Sequence, residues 1–200
     1  MATVGRPRMR IAAALLVLAP AAMWAPASAP PAPLRVTVAA GGLTDEVGTA
    51  VPTGPRRVLT AAHVLAGARA IHVGSQPARV VRVDPRLDLA VLDVPGLQAR
   101  GLRYGSAGGS AEVHVLRDGR PRAIPARVRR SVTVALKDPR TGRTDARPAL
   151  ELAADVAPGD SGAPVTDGRG RVVGIVFARG VGRPATTWAV DVSTTAAQLR

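Results

Sequence analysis

The sequence Pro-Gly-Asp-Ser-Gly-Ala-Pro, residues 158–164, places a serine between two glycines, with an acid directly before it. Glycine permits backbone angles that other residues avoid and lets a second group approach closely. Ser161 would then lie at the top of a tight turn with its hydroxyl exposed. The backbone N–H groups of Gly159 and Ser161 could converge on one point, as in an oxyanion hole. The same residue types also form ordinary turns between strands, so this stretch alone leaves both interpretations open.

A serine nucleophile needs a base, most often a histidine, to accept its proton. Two of the three histidines, His72 and His114, lie within apparent strands, where a histidine usually faces solvent or has a structural role. His63 instead follows a strand-like run, at a point where small residues allow the chain to turn. A side chain at such a strand end can project into a cleft, which makes His63 the candidate base.

The base in turn needs a buried acceptor that holds its tautomer and orientation. Asp84, Asp88 and Asp93 are the candidates. Asp84 precedes a proline in an apparent turn, and Asp93 ends a strand. Asp88 precedes the apolar run 89–92, so its carboxylate is expected to be partly buried and to need a partner. We therefore pair Asp88 with His63.

Three segments resemble the signature blocks of chymotrypsin-like (trypsin-like) serine proteases. They are Thr-Ala-Ala-His at 60–63, Asp-Leu-Ala-Val-Leu at 88–92 and Gly-Asp-Ser-Gly at 159–162, in the His, Asp, Ser order of that fold. The resemblance covers residues 34–200, and within this family the sequence is most similar to the compact bacterial branch without disulfides. Alanine at position 163 departs from the glycine that usually follows the last block.

This resemblance implies an all-β fold of two perpendicular antiparallel β-barrels, with the catalytic triad His63, Asp88 and Ser161 in the cleft between them. It implies a serine endopeptidase that works through an acyl-enzyme, with an oxyanion hole formed by the N–H groups of Gly159 and Ser161. Asp160 is left to pair with an arginine that the sequence does not identify. A catalytically silent relative that binds peptides or an envelope partner is the alternative.

Asp155 lies six residues before Ser161, where the trypsin branch has the acid that binds a basic side chain in its S1 pocket. The resemblance therefore suggests substrate binding by Asp155 and cleavage after Arg or Lys. The alternative is a surface aspartate in a loop of different length.

Short apolar runs separated by Gly, Pro and Asp predict strands in both halves of the chain. The first barrel is assigned to residues 34–94, a Gly- and Ser-rich linker to 95–110, and the second barrel to 111–200. Within the second barrel, 123–130 and 132–136 are predicted as separate strands, and 137–147 as an exposed loop. Residues 194–200 are predicted to form a short C-terminal helix that Ser193 caps.

Residues 1–27 have the form of a secretory signal peptide, with a basic start, an apolar run at 11–25 and small residues at the cleavage position. Cleavage after Ala27 would leave a Pro-rich lead-in at 28–33. The apolar run is shorter than the roughly 20 residues of a membrane span. The sequence thus predicts a secreted protein, extracellular or in the cell envelope, with an uncleaved anchor as the alternative.

The formal net charge of +13 comes almost wholly from arginine. The arginines are scattered apart from a cluster at 127–130, and no aromatic residues interleave with it to stack bases. This favours a solvated basic surface over a polyanion-binding one. The few scattered histidines and the lack of cysteine predict no metal site. We expect a monomer with no cofactor, a protein or peptide as substrate, no nucleic-acid partner, and no membrane contact after signal cleavage.

Overall fold

The computed structural model describes residues 29–41, 46–137, 142, 144–180 and 185–193, and these are almost entirely β-structure. The predicted signal peptide at 1–27 and the C-terminal helix at 194–200 lie outside the described residues. No helix within the described ranges is long and apolar enough to cross a membrane.

The first half forms a seven-stranded antiparallel sheet. Its strands are β1 (Leu34–Ala39), β2 (Glu46–Gly54), β3 (Arg57–Ala61), β4 (Ala70–Val73), β5 (Gln76–Pro77), β6 (Arg79–Asp84) and β7 (Leu89–Asp93). They lie in the order β5-β4-β1-β2-β3-β7-β6. Alternate residues of these strands face inward and bury an aliphatic core that includes Val36, Val38 and Leu92. A single 3-10 turn, Ala62–Leu65, follows β3.

The second half closes into a six-stranded antiparallel barrel. Its strands are β8 (Ser110–Arg117), β9 (Arg120–Lys137), β10 (Thr144–Ala153), β11 (Pro164–Asp167), β12 (Val172–Arg179) and β13 (Thr186–Asp191). Around the barrel they follow the order β10-β13-β12-β11-β8-β9. The predicted all-β fold of two antiparallel β-barrels is therefore confirmed: the second half is a closed barrel, and the first half is a curled sheet of seven strands. Residues 95–109 connect the two halves and form a single bridge to the second sheet, between Tyr104 and Val172.

The prediction of two strands at 123–130 and 132–136 followed by a loop to 147 was wrong. Residues 120–137 form one continuous strand, because β10 supplies ladder partners across the polar interruption, pairing Arg130 with Glu151 and Ser131 with Leu150. The ladder continues outward to Thr144 opposite Lys137, so residues 144–147 belong to a long hairpin.

The two halves share a third apolar cluster that fixes one against the other. Leu59, Leu87 and Leu89 from the first half pack with Ile175 and Phe177 from the second. This shared core joins β3 and the start of β7 to β12, and it brings the candidate site residues of the two halves together.

Candidate active site

His63 is held by the 3-10 turn that follows β3. The turn is anchored at its start, because the N–H of Ala62 donates to the carbonyl oxygen of Asp88 at 2.9 Å. The N–H of His63 donates to Oδ1 of the same aspartate at 2.8 Å. Two backbone N–H groups thus donate to Asp88, one to its carbonyl oxygen and one to its carboxylate, and fix the histidine relative to it, while 46% of the His63 side chain remains exposed.

Asp88 precedes β7 in the left-handed backbone conformation, with φ of 57°. Non-glycine residues seldom adopt this conformation, and aspartate and asparagine tolerate it best. In this position Oδ2 of Asp88 lies 2.7 Å from Nδ1 of His63, and the carboxylate is 13% exposed. An ionised carboxylate only accepts hydrogen bonds, so Nδ1 of His63 carries the proton and Nε2 is left as the acceptor.

Ser161, from the second half of the chain, completes a row of hydrogen-bonded side chains with Asp88 and His63. Its Oγ lies 2.9 Å from Nε2 of His63. The loop that carries Ser161, residues 158–163, is called the nucleophile loop. The N–H of Thr49, in β2, donates to the carbonyl oxygen of Ser161 at 2.8 Å, so this loop is docked on the first half. The structure thus brings together the three predicted residues, 25 and 98 positions apart, in one hydrogen-bonded chain from Asp88 through His63 to Ser161.

Gly162 shows why the loop around Ser161 requires glycine. Its φ is +91°, and a Cβ there would lie 1.8 Å from the carbonyl oxygen of Thr49. Ala163, which departs from the family pattern, is fully buried in the barrel core, and its N–H donates to the carbonyl oxygen of Asp160 at 2.9 Å. The extra methyl group is therefore accommodated without loss of the loop's hydrogen bonds.

The N–H groups of Gly159 and Ser161 are both available to a ligand. Gly159 has φ of +93°, and its carbonyl oxygen accepts a hydrogen bond from Oγ1 of Thr49 at 2.9 Å. Within the described part of the chain, neither of these two N–H groups donates to another protein atom. Two free donors beside a nucleophile can hold the negative charge that develops on a carbonyl oxygen.

Asp160 is 2% exposed and has the arginine partner that the sequence left unidentified. Arg117 at the end of β8 binds both of its carboxylate oxygens, with Nη2 2.6 Å from Oδ2. The N–H of Ala157 donates to Oδ2 at 2.7 Å. The hydrogen bond to Asp160 raises the pKa of Arg117. Asp160 therefore supports the nucleophile loop, and a separation of 43 residues hid its partner from sequence reasoning.

The other histidines lie away from the row. His72 is exposed on β4. His114 is 6% exposed, and its Nε2 lies 2.7 Å from Oγ1 of Thr166. Burial lowers the pKa of His114 despite the opposing charge of Glu112. This histidine has a structural position in the second barrel.

The other two candidate acids also have local partners. Oδ1 of Asp84 accepts the N–H of Leu87 at 3.1 Å. Asp93 is paired with Arg56 and Arg57, and the hydrogen bond from Arg56 holds the pKa of Asp93 below its usual value. Neither carboxylate takes part in the chain of hydrogen bonds at His63.

Asp155 lies on the segment between β10 and the nucleophile loop, and it is exposed. Its negative charge contributes to the raised pKa of Arg117. Across the described residues, no hydrogen bond or ion pair to its carboxylate is formed. Asp155 is thus separate from the Asp88–His63–Ser161 row.

Arg147 is the residue at the site that sequence reasoning missed, because it fell in the predicted loop. It lies on β10 and is 6% exposed, and its Nη1 is 3.2 Å from Oδ2 of Asp88. The N–H groups of Nη1 are not directed at that oxygen, so the contact is an ion pair rather than a hydrogen bond. Its guanidinium also covers the ring of Phe177, with CZ 5.2 Å from the ring centroid.

A cavity of about 380 Å³ borders the nucleophile loop on the side of β1 and β2. It is open to solvent and is lined by Arg35, Val47, Gly48, Thr49, Leu116, Arg117, Pro158, Gly159 and Asp160. The described residues contain no cluster of three or more His, Cys, Asp or Glu side chains that could hold a metal ion.

Comparison with known proteins places this geometry among serine peptidases. The family described as "Trypsin-like peptidase domain" matches residues 48–175. The serine protease Rv3671c of Mycobacterium tuberculosis (strain ATCC 25618 / H37Rv) is 33% identical over an alignment of 165 residues that covers 76% of this chain. The chain spans 41% of the length of that curated relative.

Solved structures show the same fold. The crystal structure of the active form of the Rv3671c protease from M. tuberculosis superposes with a TM-score of 0.74 and 31% identity, covering 84% of this chain and 79% of that one. The HtrA-type protease AlgW, in a structure with a tripeptide, superposes with a TM-score of 0.69 and 21% identity over 84% of this chain and 59% of that one. At 21% identity, the similarity to AlgW concerns the fold alone.

Proposed function

The chain belongs to the trypsin-like peptidase family, and on that basis we propose that it is a secreted serine endopeptidase that hydrolyses peptide bonds through Ser161, His63 and Asp88. The observation that carries the proposal is the unbroken row of polar atoms. Nε2 of His63 lies 2.9 Å from the hydroxyl of Ser161, and Nδ1 lies 2.7 Å from the carboxylate of Asp88. These distances fall within the hydrogen-bond reach that proton transfer to a general base requires.

The first half of the reaction forms the acyl-enzyme. Oγ of Ser161 attacks the peptide carbonyl carbon while Nε2 of His63 takes the hydroxyl proton, and the carbonyl electron pair moves onto oxygen. The N–H groups of Gly159 and Ser161 hold this oxyanion, and Asp88 stabilises the imidazolium. When the carbonyl re-forms, the C–N bond breaks, and His63 gives its proton to the leaving amine.

Hydrolysis of the acyl-enzyme repeats these steps with water as the nucleophile. His63 takes a proton from the water, whose oxygen attacks the ester carbonyl. The collapse of the second tetrahedral intermediate breaks the bond to Oγ of Ser161, and His63 returns the proton to the serine.

Cleavage after Arg or Lys is the specificity we propose, through the exposed carboxylate of Asp155. Support comes from its position six residues before Ser161 and from its lack of an ion-pair partner among the described residues. Arg117 lies within range of its charge and competes with a cationic substrate side chain. A panel of peptides that differ only at the residue before the scissile bond tests this. Asp155→Asn should lower kcat/KM for Arg and Lys peptides only. A preference of the wild-type protein for apolar or acidic residues before the scissile bond would exclude Asp155 as the residue that sets specificity.

Secretion is proposed from residues 1–27, with cleavage after Ala27. The intact mass of the protein recovered from the culture medium should correspond to a chain that begins at Ser28. A membrane-bound protein that retains residues 1–27 would instead favour the uncleaved anchor.

The proposed activity is tested by turnover of an unfolded protein such as casein by the purified chain. Ser161→Ala should lower turnover by several orders of magnitude, because the attacking oxygen is lost. Ser131→Ala, at an exposed position on β9, is the matched control and should leave turnover unchanged. Equal hydrolysis by wild-type and Ser161→Ala proteins would contradict the proposal, and no hydrolysis by either would favour a catalytically silent, peptide-binding relative.

A further inference from the structure

Arg147 projects from the β9–β10 hairpin of the second half toward the acid of the first half. It lies opposite Val134 in the ladder and is 6% exposed. Arginine is almost never so deeply buried unless it is paired. The groups around Arg147 must therefore offset the cost of removing its positive charge from water.

Asp88 is the acid that faces this cation. Nη1 of Arg147 lies 3.2 Å from Oδ2 of Asp88, and no other acid of the described residues forms an ion pair with it. Nε and Nη1 have no hydrogen-bond partner within the described ranges. One face of the guanidinium lies over the ring of Phe177, at a distance typical of a cation–π contact. The arginine is thus held between an aromatic ring and one carboxylate.

The carboxylate of Asp88 is correspondingly held on three sides. Oδ1 accepts the backbone N–H of His63, and Oδ2 is shared by Nδ1 of His63 and Nη1 of Arg147. A rotation of the carboxylate would disturb all three contacts together. Arg147 thereby places a permanent positive charge beside a carboxylate whose side chain is only 13% exposed.

We propose that Arg147 is a positioning residue, which fixes the carboxylate of Asp88 in the orientation that holds His63 against Ser161. Docking of the β9–β10 hairpin on the first half thereby sets the geometry of the triad. The inference rests on the proposed peptidase function and adds to it a residue that acts only through Asp88.

A purely electrostatic role predicts the opposite result. Arg147 and the imidazolium formed during catalysis share Oδ2 of Asp88, so the arginine charge weakens the stabilisation of that imidazolium. Removal of the charge would then speed catalysis, whereas removal of a positioning contact slows it. The sign of the change in kcat separates the two.

The test compares Arg147→Met with wild type, and repeats the comparison with Asp88→Asn in both proteins. The readouts are kcat and KM for one fluorogenic peptide, the rate of labelling of Ser161 by a fluorophosphonate, and Tm by circular dichroism. We expect Arg147→Met to lower kcat and the labelling rate on the order of 10- to 100-fold, as small misplacements of a catalytic group do, with KM unchanged. In the Asp88→Asn background the loss should shrink to about twofold or less, because two changes that act through one contact do not add.

Arg122→Met is the matched control, because Arg122 is exposed on β9 of the same hairpin. It should match wild type in every readout. If Arg147→Met does not fold, Arg147→Lys replaces it as the test variant. A lysine keeps the charge but cannot lie flat on Phe177, so the labelling rate should fall severalfold with Asp88 present and not in the Asp88→Asn background.

Three outcomes would overturn the inference. The first is a kcat of Arg147→Met at or above the wild-type value. The second is an equal loss of kcat with Asp88 present and in the Asp88→Asn background, which indicates a general structural role. The third applies if Arg147→Met does not fold, and it is labelling of Arg147→Lys at the wild-type rate. Failure of the proposed function is recognised separately, because the wild-type protein itself would then be neither labelled nor active, and the inference would fall with it.

Discussion

Replacement of Gly159 by alanine should turn one oxyanion donor, the backbone N–H of residue 159, away from the substrate while barely disturbing the packing of the loop. The nearest atoms to a new Cβ would be Cγ1 and the carbonyl oxygen of Val47, both at 3.9 Å, which is ordinary van der Waals contact. The difficulty lies in the backbone, because Gly159 has φ of +93° and an L-residue held there costs about 1–3 kcal/mol. The loop can relieve that strain by rotating the 158–159 peptide, which turns the Gly159 N–H away from the substrate.

Loss of one such donor lowers kcat about 10²- to 10³-fold, equivalent to about 2.7–4 kcal/mol of transition-state stabilisation. We therefore expect Gly159→Ala to fold, to lose kcat by about that factor, and to keep KM near the wild-type value. The assay is steady-state turnover of a fluorogenic peptide, normalised by active-site titration, with thermal unfolding followed in parallel.

Gly119→Ala provides the matched control. Gly119 also has positive φ, +73°, and a Cβ there would meet nothing within 4 Å, but it lies in the β8–β9 turn away from the site. It should lose stability like Gly159→Ala without losing kcat. Wild-type kcat in Gly159→Ala, at the same loss of stability as the control, would refute the assignment of the Gly159 N–H to the oxyanion hole.

Two further predictions concern buried charge in the second barrel. Arg117→Met leaves the buried carboxylate of Asp160 without its cation, and since the Arg117 side chain is 35% exposed we expect a modest loss of about 1–3 kcal/mol in urea unfolding, together with lower kcat. Adding Asp160→Asn should recover part of the stability, and an unchanged unfolding midpoint in Arg117→Met would contradict this. Burial lowers the pKa of His114, so the unfolded chain protonates this histidine more readily than the folded chain does. The stability of the fold is therefore full above the ordinary histidine pKa of 6.5 and falls as the pH drops below that value. His114→Gln should reduce the fall in Tm between about pH 8 and pH 5, and equal falls in both proteins would count against it.

The fold class followed from local signals because the chain alternates short apolar runs with turn residues. The site residues also carried local signals. Small residues let the chain turn at His63, an apolar strand follows Asp88, and glycines flank Ser161. The structure brings these three side chains into one row, and each of these signals could be read within a few residues of its position.

What the sequence left open depends on pairing between distant segments. The polar residues around Ser131 looked like a break between strands, but ladder partners on β10 carry β9 through them. The same misreading placed Arg147 in an exposed loop, although it is buried against Asp88, 59 positions away in sequence (147 − 88). Arg117 and Asp160 meet because β8 pairs with β11, the strand that directly follows the nucleophile loop. No local pattern encodes such contacts.

The central claim is that His63 activates Ser161 as a nucleophile, and covalent labelling tests it most directly. A fluorophosphonate should add once to the wild-type protein, with the adduct mapped to Ser161 by peptide mass spectrometry. Labelling should be abolished in Ser161→Ala and greatly slowed in His63→Ala, because the base then no longer accepts the hydroxyl proton. A wild-type protein that stays unlabelled, or one labelled equally fast without His63, would contradict the account.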